Sequence, residues 1–155
     1  MKNFYKKGIT LLEVIIVIAI VGILTAIILP QFSKMKNSQI IKNASSDIIS
    51  SLNKAQSQTR ASLDSSPYGV HFQSDKIIIF KGINFSVNDA NNQNINIISP
   101  AIISNIALTN GATSIYFNRL TGLPSGTGTI TVSISSDASL TKIITISATG
   151  LGSIN

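Results

Sequence analysis

The sequence predicts an α+β fold: one long N-terminal helix, followed by an antiparallel β-sheet domain packed on the helix's second half. Three observations predict it. Ile9 to Leu29 form a predominantly apolar run in which Glu13 is the single charged residue. Ile41, Ala44, Ile48, Leu52, Ala55 and Thr59 then recur at spacings of three and four, the period of one helical face. After Pro67 the period changes to two, as strands require.

The chain opens with a basic leader, residues 1–8, that holds Lys2, Lys6 and Lys7 and ends at Gly8. Residues 9–29 would extend roughly 31 Å as a helix at about 1.5 Å per residue, enough to cross a bilayer core. Lysines on the near flank only predict a cytoplasmic N-terminus, with everything after Pro30 outside. A conventional secretory signal fits less well, because its apolar region is shorter, about 7–15 residues, and ends in a small-residue cleavage site. A plain signal anchor stays open. Glu13 is the odd residue. A charge inside such a helix costs about 2.5–3.5 kcal/mol on insertion scales, so an acid here is read as functional unless it is merely tolerated near the membrane edge.

Residues 30–66 continue the helix beyond Pro30, which as an interior proline is expected to kink it rather than end it. Lys42, Asn43, Asp47, Asn53 and Lys54 fill much of the face opposite the apolar stripe. The cluster Asp64-Ser65-Ser66-Pro67 marks the expected end. The helix would then be roughly 80 Å long at about 1.5 Å per residue.

Residues 67–155 form the predicted β domain. Tyr68 to Gln73 and Lys76 to Phe80 flank Ser74-Asp75 as a tight hairpin. Ile83 to Val87 is a candidate strand, and Asn88 to Asn94 reads as a loop. Ile95 to Ile98 and Ile102 to Leu108 are short apolar runs of either type. Thr113 to Asn118 reads as a strand, and Gly122 to Gly128 as a loop. Thr129 to Ser135 and Thr141 to Ala148 alternate around Ser136 to Leu140, a second predicted hairpin.

The junction Lys7-Gly8, then Thr10, Leu11, Leu12 and Glu13, with Gly22 and Pro30 beyond, resembles the type IV prepilin signature of type IV pilins and type II secretion pseudopilins. Ile9 departs from it, since the family's mature chain most often begins with Phe or Met. The resemblance implies cleavage between Gly8 and Ile9 by prepilin peptidase and N-methylation of Ile9. It also implies insertion in the cytoplasmic (inner) membrane, contact with an assembly platform there, and assembly with other pilin or pseudopilin subunits. Glu13, Gly22 and Pro30 are the residues it assigns to assembly. Cleavage would create a cationic amine, and the amine of an adjoining subunit is the nearest partner type for a buried Glu13 carboxylate.

More narrowly, Phe117 to Gly122, the Gly-rich loop and the strand from Thr129 resemble H-type minor pseudopilins and minor type IV pilins. Pilus members that bind DNA carry arginines in a C-terminal tail; here the tail reads Gly150-Leu151-Gly152-Ser153-Ile154-Asn155.

The remaining residue types exclude several chemistries. There is no cysteine, hence no disulfide, thiolate zinc site or cysteine nucleophile. The single His71 falls in a predicted strand with no second histidine beside it. Asp47, Asp64, Asp75, Asp89 and Asp137 are scattered, with no paired-carboxylate or metal spacing, so neither enzyme, metal nor cofactor is expected. Asp89 sits among asparagines without an EF-hand pattern and reads as a solvated loop. Gly122, Gly126 and Gly128 lack the Lys-Ser/Thr pair of a phosphate loop. Lys34, Lys36 and Lys42 read as a solvated face near lipid head groups or as contacts to acids on neighbouring subunits. The formal charge of +6 includes three leader lysines and is mild thereafter. An alternative function, a tip-located subunit binding DNA or a surface, would need Lys76, Lys81, Arg119 and Lys142 to cluster in the fold.

Overall fold

The apolar run and the stripe beyond it form one helix, α1 (Leu11–Arg60). The computed structural model describes residues 8–155, with Pro30 in its backbone only. The leader lies outside the described residues apart from Gly8. The chain divides into two compact units, the first ending at Lys36 and the second running Asn37–Asn155.

In the first unit every described side chain is exposed, Ile15, Ile18 and Leu24 among them. A helix apolar on all sides has no reason to face water, and its partners are lipid or other helices. Over its most apolar 18-residue window the mean hydropathy is 3.0, so α1 is long and apolar enough to cross a membrane.

In the second unit the predicted stripe is the buried one. Ile48, Leu52, Ala55 and Thr59 are wholly inaccessible, and Ile41 and Ala44 nearly so. Thr59 also fixes where the sheet begins. Its Oγ1 donates to the Ala55 carbonyl at 2.8 Å and accepts the Tyr68 N–H at 2.9 Å. α1 stops at Arg60, earlier than the predicted Asp64 cluster, because Ser62, Asp64 and Ser65 adopt left-handed φ values of 49°, 50° and 52°. A short 3-10 turn (Leu63–Ser65) fills the gap.

Eight strands follow: β1 (Tyr68–Phe72), β2 (Lys76–Lys81), β3 (Gln93–Asn96), β4 (Ala101–Leu108), β5 (Ser114–Tyr116), β6 (Gly128–Ile134), β7 (Asp137–Ile146) and β8 (Gly152–Ile154). They form two antiparallel four-stranded sheets rather than one, ordered β3-β2-β1-β5 and β4-β6-β7-β8. Both sheets contribute to a single core with α1: Val70, Phe72, Ile77 and Ile79 from the first, Ile130, Val132, Ile144 and Ile146 from the second. The two are tied where the Ile103 N–H donates to the Ser74 carbonyl at 2.9 Å.

The β1–β2 hairpin turns at Ser74-Asp75 as predicted, with Phe72 opposite Ile77. Ile83 to Val87, by contrast, is not a strand. β2 reads Ile77-Ile78-Ile79-Phe80 and is buried on both faces, so its outer face needs a cover. The loop after Gly82 supplies it. Phe85 stacks on His71 at 3.9 Å between centroids and meets Phe80 edge-on at 5.7 Å, leaving Ile83 and Val87 exposed. The second hairpin is also tighter than predicted: Ile134 pairs with Asp137, and the register slips between Ser133 and Ile134. Residues 138–140 therefore belong to β7. The ambiguous run 102–108 lies in β4, and Ile95 lies in β3.

Candidate functional site

The residues at the start of α1 are organised by one side chain. Thr10 precedes the first helical residue, and its Oγ1 accepts the Glu13 N–H at 3.3 Å. Its carbonyl accepts the Val14 N–H, also at 3.3 Å. This is an N-cap, which satisfies one of the four donors a helix start leaves unpaired. Thr10-Leu11-Leu12-Glu13 has the spacing of a capping box, a helix-start signal present in the sequence beside the family signature. Glu13 thus occupies the third helical position, in the first turn, where the helix dipole favours a negative charge. Its side chain is exposed and borders a shallow depression of about 190 Å³ with Ile9, Val14, Val17 and Ile18. Among the described residues this carboxylate on an apolar wall has no cation to neutralise it. What the arrangement can do chemically is accept a cation from outside.

The other assembly candidates stand apart from this site. Gly22 lies in the interior of α1, and a Cβ there would meet nothing within 4 Å. Its own chain therefore gives no packing reason for a glycine that costs about 0.5–1 kcal/mol relative to alanine. Pro30 lies within the helical span of α1. Gly8 and Ile9 precede the helix, with Ile9 three-quarters exposed.

In the β domain the candidate residues are held by ordinary structural contacts. His71 Nδ1 and Ser114 Oγ lie 2.8 Å apart, and burial pushes the imidazole down from its ordinary value. The Asp89 carboxylate accepts both the backbone and side-chain N–H groups of Asn91 at 2.8 Å, which hold it below the usual range. Asp64 is held low by Lys81 at 3.2 Å and by the Tyr68 hydroxyl at 3.0 Å. Among the described residues no group of three His, Cys, Asp or Glu side chains is placed to hold a metal. Lys76 and Lys81 sit at opposite ends of β2, Lys81 is paired, and Lys142 belongs to the other sheet.

One sequence finding bears directly on the N-terminal site. Residues 3–29 match the family model described as the prokaryotic N-terminal methylation motif. That motif supports membership of the type IV prepilin and pseudopilin family. No curated protein and no solved structure matches the chain; the family match covers residues 3–29, and the helix followed by antiparallel sheets is consistent with a pilin-like fold. For a prepilin the motif carries processing by prepilin peptidase, assembly with other pilin-type subunits, and anchoring in the inner membrane by the apolar helix. The cap at Thr10 and the acid at Glu13 fall inside the matched segment.

Proposed function

We propose that this chain is a prepilin-type structural subunit cleaved between Gly8 and Ile9, N-methylated on Ile9, and assembled into a type IV pilus or a type II secretion pseudopilus. The observation that carries the reading is Glu13 in the capped first turn of α1, the one charge in an apolar stretch that runs to Leu29 with every described side chain exposed. In a bilayer that carboxylate is a liability. In a bundle of identical helices it has a partner, because each mature copy would bring a cationic amine at Ile9. A buried carboxylate is retained when such a pair fixes register. Gly22 and Pro30 would then serve the packing of neighbouring helices, and the domain after Pro30 would face the outside of the inner membrane.

The test is the N-terminus itself. The full chain is expressed with and without prepilin peptidase, and the membrane fraction is examined by mass spectrometry. The expected mature form begins at N-methyl-Ile9 only when the peptidase is present. A chain that keeps Met1 to Gly8 in both preparations overturns the proposal.

A further inference from the structure

A second acid on α1 is as poorly provided for as Glu13. Asp47 lies half-buried between α1 and strands β2 and β3. It lines a groove of about 160 Å³ over Ile79 and Ile95, and a smaller depression beside Ile40 and Ile98. Burial pushes its carboxyl above the usual range. Among the described residues its carboxylate has neither a hydrogen bond nor an ion pair. Lys54, two turns further along the same border, is the other charge in that groove and makes no ion pair with it.

Lys42 is its counterpart. It is exposed and makes no ion pair with any described acid. At about 100° per residue, Lys42 and Asp47 are about 140° apart around the helix, on opposite borders of its outer face. The face between them is mostly short and uncharged, with Asn43, Ser46, Ser50, Asn53 and Ser57 exposed beside Gln39, and Lys54 next to the Asp47 border, so that a parallel helix can approach. A contact joining two different borders is heterologous. Such a contact repeats from copy to copy and, where the rotation does not close, builds an open filament.

We infer that Asp47 receives Lys42 of a second copy of this chain, packed in parallel along the outer face of α1. The inference rests on the subunit reading above and deepens it by naming the contact.

The chain's lack of cysteine makes the test direct. The Lys42→Cys/Asp47→Cys variant is produced in cells that assemble the wild type, and sheared filaments are run unreduced, with and without a short bis-maleimide. Linked dimers and higher multimers are expected from the double variant and from neither single one. Charge exchange is the second measurement. Asp47→Lys should lower the sheared fraction about tenfold through like-charge contact, and Lys42→Asp/Asp47→Lys should restore it. Wild type in sheared filaments with no link in the double variant, or with Asp47→Lys assembling normally, overturns this contact and leaves the subunit reading intact. Wild type absent from sheared filaments overturns both.

Discussion

The Gln56 side-chain amide donates to the Gly122 carbonyl at 2.8 Å, joining α1 to a loop 66 positions further along the chain. The same nitrogen reaches the Thr149 carbonyl, also at 2.8 Å. Gln56 is 6% exposed and Gly122 is buried, so the Gly122 carbonyl cannot exchange its partner for water without opening the core. Gly150 completes the clamp: at φ 83° it is left-handed, and a Cβ there would lie 2.7 Å from Gln56 Nε2 and 2.8 Å from the Phe117 ring. Gln56→Leu should therefore destabilise the domain by about 2–3 kcal/mol, the cost of leaving buried acceptors unpaired. Urea unfolding of the detergent-solubilised chain measures it. A loss below about 0.5 kcal/mol, the range of ordinary surface changes, would mean that the two carbonyls find other donors.

That clamp shows what the sequence conveys and what it withholds. The stripe Ile41 to Thr59 is legible because its spacing is local, and every member of it is buried. The Ser74-Asp75 hairpin is legible for the same reason. The division into two sheets is not, because it depends on which distant strands pair: β5 joins β1, while β4 skips β5 to join β6. β8 lies in the C-terminal tail, where three residues carry too little period to announce a strand, and Ile144 supplies the pairing with Ile154. Ile83 to Val87 misled because Phe85 plugs the outer face of the first sheet instead of extending it. At the N-terminal site, Glu13 stood out by charge alone, whereas Thr10 is a common residue until the helix start places it as a cap.

His71 gives the domain a pH dependence. Burial lowers its imidazole below 6.5, so the unfolded chain takes up a proton more readily than the folded one. Stability is therefore full above pH 6.5 and falls as pH drops toward the folded value. Asp64 and Asp89, both held below 3.8, lose their contributions only at more acid pH. Between pH 7.5 and 5.5 the wild type should lose more of its Tm than His71→Gln does, as followed by circular dichroism. Equal losses in the two proteins would place the titration elsewhere.

Thr10 should matter through the helix start rather than through membrane insertion. Thr10→Val removes the oxygen that accepts the Glu13 N–H while keeping a β-branched shape. Loss of an N-cap costs about 1 kcal/mol, or about fivefold in an equilibrium that needs the first turn intact. Thr10→Val should thus insert normally, expose the Glu13 amide to faster hydrogen exchange in bicelles, and reach sheared filaments about fivefold less well. Thr10→Ser, which keeps the oxygen, should behave as wild type. A Thr10→Ser defect as large as that of Thr10→Val would assign the effect to packing of the methyl group.

Glu13 separates insertion from assembly. Glu13→Val should insert at least as well as wild type, because removing a charge from an apolar helix relieves a cost of about 2.5–3.5 kcal/mol. Cleavage after Gly8 should persist, since the substitution leaves the Gly8-Ile9 junction unchanged. Assembly should fall sharply, because the neighbouring amine would be stranded among apolar helices, and stranding one member of a buried pair costs about 3–5 kcal/mol. Glu13→Gln should fall nearly as far, since it offers the amine a dipole in place of a charge. Gly8→Val should do the reverse and insert with its leader uncut. Fractionation of each variant into membrane and sheared-filament pools, with the N-terminus read by mass spectrometry, distinguishes these outcomes. Recovery of Glu13→Val in filaments at the wild-type level would remove Glu13 from the mechanism and leave it an acid tolerated in the first turn, where the helix dipole and the Thr10 cap already accommodate it.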